Sequence, residues 1–134
     1  KHGKELFFGR GTCFACHKVG AKGVAIGPDL VGIGKRRDLD YVIQSTLEPD
    51  AYIVEGFQQT SLKMKDGRVL FGMIGEETAL SMKLVLLTGE KITLKADEVI
   101  KRSDAKKSIM PGSFAHTLSA QDVANLSAWI MSLK

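Results

Sequence analysis

Cys13 and Cys16 stand three residues apart, and His17 follows directly. Two thiols at that spacing can each add across one vinyl group on neighbouring pyrroles of a porphyrin. The imidazole beside them is then held under the iron as its proximal ligand. This is the attachment signature of c-type haem. The rival readings need more than the chain offers. Structural zinc takes four ligands, and the sequence holds two cysteines and three histidines, His2, His17 and His116. A Cys2His2 site would have to recruit both distant histidines or leave a position open. A thioredoxin-like redox pair belongs at a strand-to-helix junction inside a βαβ pattern, and no such pattern surrounds Cys13. A plain disulfide is the remaining alternative. The expected cofactor is one haem c, bonded through Cys13 and Cys16.

The ligand opposite His17 decides what such a centre can do. A methionine raises the reduction potential and blocks entry of substrates, which suits electron transfer. An open position suits gas or peroxide chemistry. The candidates are Met64, Met73, Met82, Met110, Met131 and His116. Met64, Met73 and Met82 alternate within expected strands and are expected to fill a β core. Met110 lies in an irregular loop, Ser108-Ile109-Met110-Pro111-Gly112, where Pro111 fixes the backbone, so Met110 is the expected sixth ligand. His116 is the main alternative and would lower the potential.

Other residues must orient and enclose the group. A ligating imidazole donates its second N–H to a carbonyl or carboxylate. The carbonyl of Pro28, in Ile26-Gly27-Pro28-Asp29-Leu30, is the expected acceptor. Leu30, Ile33 and Ile43 are expected to line a dry pocket. Arg36, Arg37 or Tyr41 is expected to reach a propionate, since cationic or hydroxyl donors suit carboxylates.

The elements that carry these residues change period along the chain. Apolar spacing predicts a helix over residues 2–13. Glycines and Pro28 make 18–37 loop-like. Asp38 caps a second helix to about Leu47, with Leu39, Val42, Ile43, Thr46 and Leu47 inward. From Phe57 to Arg102 the pattern alternates. Thr60, Leu62 and Met64 share one face; Val69, Phe71 and Met73 another; Leu80, Met82, Leu84 and Leu86 a third. Turns fall at Lys65-Asp66-Gly67 and Thr88-Gly89-Glu90. Val99 and Ile100 close a last short strand. Four or five antiparallel strands predict a small sheet or partial barrel. A final helix follows Ser119, with Asp122 completing a capping box and Val123, Leu126, Trp129, Ile130 and Leu133 as its stripe.

At 134 residues, with a quarter of them charged and balanced hydropathy, the chain has the composition of one globular domain. No apolar run is long enough to span a membrane. No dense basic run or stacking aromatic pattern supports nucleic-acid binding. Residues 1–37 and 101–134 are net basic and 38–100 net acidic, within a total of +4. A basic face around the haem edge would steer an acidic partner. Covalent haem attachment implies a periplasmic or otherwise exported location. The chain opens on Lys1-His2-Gly3-Lys4 and is expected to be a mature form or an excised domain.

Together these motifs resemble class I cytochrome c. The shared features are a first helix with Gly3 and Phe7, Cys-x-x-Cys-His, a Gly-Pro-x-Leu loop, and a Met-Pro loop before a last helix bearing an aromatic. The resemblance implies an α+β fold in which the N- and C-terminal helices cross, with Phe7 against Leu126 and Trp129. Residues 1–134 would form a single cytochrome c domain, with residues 55–102 as an inserted β subdomain. Over nearly its full length the chain is similar to the Pirellula/Verrucomicrobium-type haem-binding domains, through Gly27-Pro28-Asp29-Leu30, Gly32-Ile33-Gly34, Leu47-Glu48-Pro49, Lys65-Asp66-Gly67, Gly89-Glu90 and Ser108-Ile109-Met110-Pro111. That resemblance implies a non-enzymatic electron carrier serving a redox protein or a dehydrogenase domain of a parent chain. A gas or peroxide sensor or enzyme, and a structural haem module of a larger protein, are the alternative functions.

Overall fold

The computed structural model describes residues 1–134. They form two compact units. One comprises Lys1–Tyr52 with Met110–Lys134, the other Ile53–Ile109. The chain is α+β, with helices in the first unit and a five-stranded antiparallel sheet in the second.

In the helical unit, α1 (His2–Phe8) is shorter than the 2–13 expected from its apolar spacing. Past Gly9 the chain turns, and the Gly11 amide donates to the Leu6 carbonyl at 2.9 Å. A Cβ on Gly11 would lie 2.6 Å from that oxygen, so a side chain cannot follow the turn there. Thr12 then takes the left-handed region, at φ 52°. The thiol loop that follows is a single 3-10 turn, Cys13–Ala15.

Helix α2 (Leu39–Leu47) starts where Asp38 accepts the Tyr41 amide at 2.8 Å. It buries Val42 and Thr46, while Leu39, expected inward, is exposed in the first turn. A short helix α3 (Phe114–Thr117) precedes α4 (Ala120–Met131). At the α4 start, Ser119 Oγ accepts the Asp122 amide at 3.1 Å and Asp122 accepts the Ser119 amide at 3.0 Å. The shorter carboxylate closes the capping box as Glu usually does. Leu133, placed on the stripe, lies past the end of the helix.

Helices α1 and α4 pack together. Phe7 is fully buried, with its ring 5.0 Å from that of Trp129. Gly3 makes room: a Cβ there would lie 2.7 Å from Trp129 Cβ and closer still to the Asn125 carbonyl. Leu6, Phe7, Val42, Phe114, Leu118, Val123, Leu126 and Ile130 make one core.

The second unit holds β1 (Gln58–Met64), β2 (Val69–Glu77), β3 (Ser81–Val85), β4 (Lys91–Lys95) and β5 (Val99–Ser108). They lie in the order β4-β3-β2-β1-β5. Leu62, Met64, Met82, Leu84 and Leu94 form its buried core. Strand β2 departs from the expected facing. Leu70 and Ile74 pack on that core, and of the expected face Met73 is buried whereas Val69 and Phe71 are about half exposed. Leu80 sits in the β2–β3 connection, 83% exposed, and not on the strand face. Strand β5 is the largest difference. It runs through Ser108, because main-chain pairing to β1 carries it past the last apolar residues.

Candidate cofactor site

The thiol loop is bound by the segment that follows it. The Val24 amide donates to the Phe14 carbonyl at 3.0 Å, and the Ile26 amide to the Cys16 carbonyl, also at 3.0 Å. Gly23, at φ 94°, turns the chain so close to the His17 and Phe14 carbonyls that a Cβ would collide with both. Cys13, Cys16 and His17 are therefore displayed from a closed loop and not from a free strand of chain.

His17 is seated on two sides. Its Nδ1 lies 2.8 Å from the Pro28 carbonyl oxygen, so that nitrogen carries the proton and donates. Gly27 lies flat against the ring, where a Cβ would be 2.6 Å from Cε1 and 2.9 Å from Nδ1. Burial pushes the imidazole below its ordinary pKa, and the bond to Pro28 partly opposes this. The ring is thus held neutral with Nε2 as its lone-pair nitrogen, the form that binds a metal.

Burial pushes the Cys13 thiol up to about 11, with a smaller upward push from Cys16 and some relief from its own backbone hydrogen bond. Burial also raises Cys16. Both thiols are free, so a disulfide does not close the loop. No group of three or more His, Cys, Asp or Glu residues gathers to hold a metal ion, so the pair does not belong to a four-ligand zinc site.

The helical unit keeps several apolar side chains only partly covered. Cys13, Leu30, Ile33, Tyr41, Ile43 and Met110 all pack, part-buried, against the helical core. A flat, largely apolar ring fits this donor set and these part-buried apolar side chains. Met110 belongs to the same compact unit as the thiol loop, and His116 is exposed on α3. Met131 packs against the helical core, and Met64, Met73 and Met82 are buried in the β unit.

The three residues expected at a propionate are arranged differently from one another. Arg36 donates to the Val31 carbonyl at 2.9 Å and the Asp29 carbonyl at 3.1 Å, closing the 29–36 loop. The Arg37 guanidinium lies over the Tyr41 ring at 4.8 Å and the Tyr52 ring at 5.7 Å. Gly34 backs onto the end of α4, where a Cβ would be 2.5 Å from the Met131 carbonyl, and the Gly32 amide donates to Leu133 at 2.9 Å. Nothing in the local pattern marks Gly27 as the floor of the His17 ring, since a Gly-Pro pair reads first as a turn.

This geometry suits covalent haem held on a closed thiol loop. A family model for cytochrome c matches residues 1–71, and the chain belongs to the cytochrome c family. Its cofactor is haem c, and electron transfer with redox protein partners is the activity of that family. Comparison with curated proteins finds no match for the chain.

Proposed function

We propose that this protein is a monohaem electron carrier whose iron is held by His17 and Met110. When bound, the haem supplies a centre that gains and loses one electron. Cys13 and Cys16 fix the ring through thioethers. Pro28 holds the proton on His17 Nδ1 and so keeps Nε2 for the iron. Gly27 limits rotation of the imidazole. Met110 would supply a soft thioether as the second protein ligand to the iron. Leu30, Ile33 and Ile43 exclude water, and Pro28 with Leu30 forms one wall. Arg36, Arg37 or Tyr41 would supply a donor to a propionate, with Arg37 and Tyr41 already stacked on one another.

The single observation that carries this reading is the 2.8 Å bond from His17 Nδ1 to Pro28, which leaves one ring nitrogen free for a metal. The placement of Met110, part-buried on the core that Cys13 also touches, supports the second ligand. The packing of Gly3 and Phe7 against α4 supports crossed terminal helices as in class I cytochromes c. Residues 1–134 are read as one cytochrome c domain with an inserted β subdomain, of the Pirellula/Verrucomicrobium type. We place it in the periplasm or another exported compartment, serving an acidic redox partner or a dehydrogenase domain of a parent chain.

Carbon monoxide added to the reduced holoprotein tests the assignment. A tightly bound Met110 leaves the visible spectrum nearly unchanged. Rapid, complete carbon monoxide binding would favour a sensor or enzyme. A pigment that mild donors reduce only sluggishly would favour a structural role.

A further inference from the structure

The outward face of β2, β1 and β5 carries two registered rows. Phe71 pairs with Ser61, and Ser61 with Ser103; Val69 pairs with Lys63, and Lys63 with Lys101. Directly paired residues project from the same face of a sheet, with Cβ atoms about 5 Å apart. Phe71 is 52% exposed and Val69 51%. Lys63 and Lys101 are exposed as well.

Two features of this face cost the isolated chain stability. Like charges directly opposite on neighbouring strands repel, and the ion pairs of this unit do not relieve them. Those pairs join Arg68 to Asp66, Lys83 to Glu76, and Arg102 to Glu77 and Asp104, leaving Lys63 and Lys101 out. Beside the two lysines, an aromatic and a β-branched side chain stand half in water. The core of this unit does not require them, because Leu62, Met64, Leu84 and Leu94 already fill it from the other face. Two unneutralised ammonium groups next to an apolar strip complement one kind of surface: carboxylates flanking an apolar side chain.

We propose that this face is a docking surface for an acidic protein segment that places an apolar side chain over Phe71 and Val69 and carboxylates on Lys63 and Lys101. The apolar contact supplies affinity, and the lysines supply orientation and rate of encounter. The face belongs entirely to the β unit, so its role does not depend on which residue completes the haem iron. The insertion thereby gains a task of its own beyond filling space.

The test uses the holoprotein, labelled for amide NMR, titrated with a synthetic peptide of alternating Asp and Leu. The expected result is saturable shifts centred on residues 61–63, 69–71 and 101–103. Lys63→Glu and Phe71→Ser should each weaken binding by about tenfold or more. Lys63→Glu separates docking from folding: opposite charges then face each other across the strands, so the free protein should melt no lower than the parent while the peptide is lost. The same peptide with Lys in place of Asp should not bind. The proposal is overturned if the acidic peptide produces no shifts, if they map to the thiol loop, or if both peptides bind alike. Tighter binding of a single-stranded oligonucleotide, or burial of this face in a dimer of the chain, would overturn it too.

Discussion

His17 and Pro28 are eleven residues apart, yet the imidazole Nδ1 sits 2.8 Å from the Pro28 carbonyl oxygen. Gly27 makes this possible, because only a residue without Cβ lets the backbone lie against the ring. Gly27→Ala should therefore tilt the imidazole or break the bond to Pro28. The expected cost is about 1–3 kcal/mol, as for other overpacked sites, with a lower yield of holoprotein. Thermal melting and the ratio of haem absorbance to protein check it. An unchanged melt and full haem loading would show that the ring is not confined as described.

The seam between α1 and α4 gives a second prediction. Gly3→Ala improves intrinsic helix propensity by about 1 kcal/mol, but its Cβ meets Trp129 and the Asn125 carbonyl at less than van der Waals distance. The steric term should win, and the variant should be less stable. Phe7→Ala removes a fully buried ring and should cost about 3–5 kcal/mol. Denaturant unfolding of both variants gives the values.

Asp122 supplies a pH dependence. The Ser119 amide is the main cause holding its carboxyl well below the ordinary carboxylate range, helped by Ser119, His2 and Arg10. The unfolded chain therefore takes up this proton at a higher pH than the folded one. The stabilisation is complete above about pH 4 and is lost as pH falls from there through the folded value. Melting temperature should decline over that acid range in the parent and more shallowly in Asp122→Asn. Ser119→Ala should cost about 1 kcal/mol at neutral pH through the lost cap.

Much of this was readable in the sequence, for local reasons. Cys13, Cys16 and His17 are defined by spacing, and Ser119 with Asp122 by the three-residue interval of a cap. Leu62, Met64, Met82 and Leu84 alternate because one face of their sheet is buried. The misreadings occur where tertiary pairing overrides pattern. Residues 101–107 are polar and exposed, so nothing in their periodicity marks β5 beyond Ile100; β1 holds them through the backbone. Val69 and Phe71 look like core residues by type but register with Ser61 and Lys63 on the outer face. Helix α1 stops early because Gly9 and Gly11 permit a turn that the apolar spacing of Leu6 and Phe7 conceals. The seat of His17 on Gly27 depends on two segments meeting, which no single window contains.

The central claim is that His17 and Met110 hold the haem iron for electron transfer. A reduction-potential titration of the holoprotein against its Met110→Ala variant tests it most directly. The account predicts a lower midpoint potential in the variant, together with an altered spectrum and a newly accessible axial position. The same potential and spectrum in both proteins would contradict it and move the assignment to His116 or another methionine.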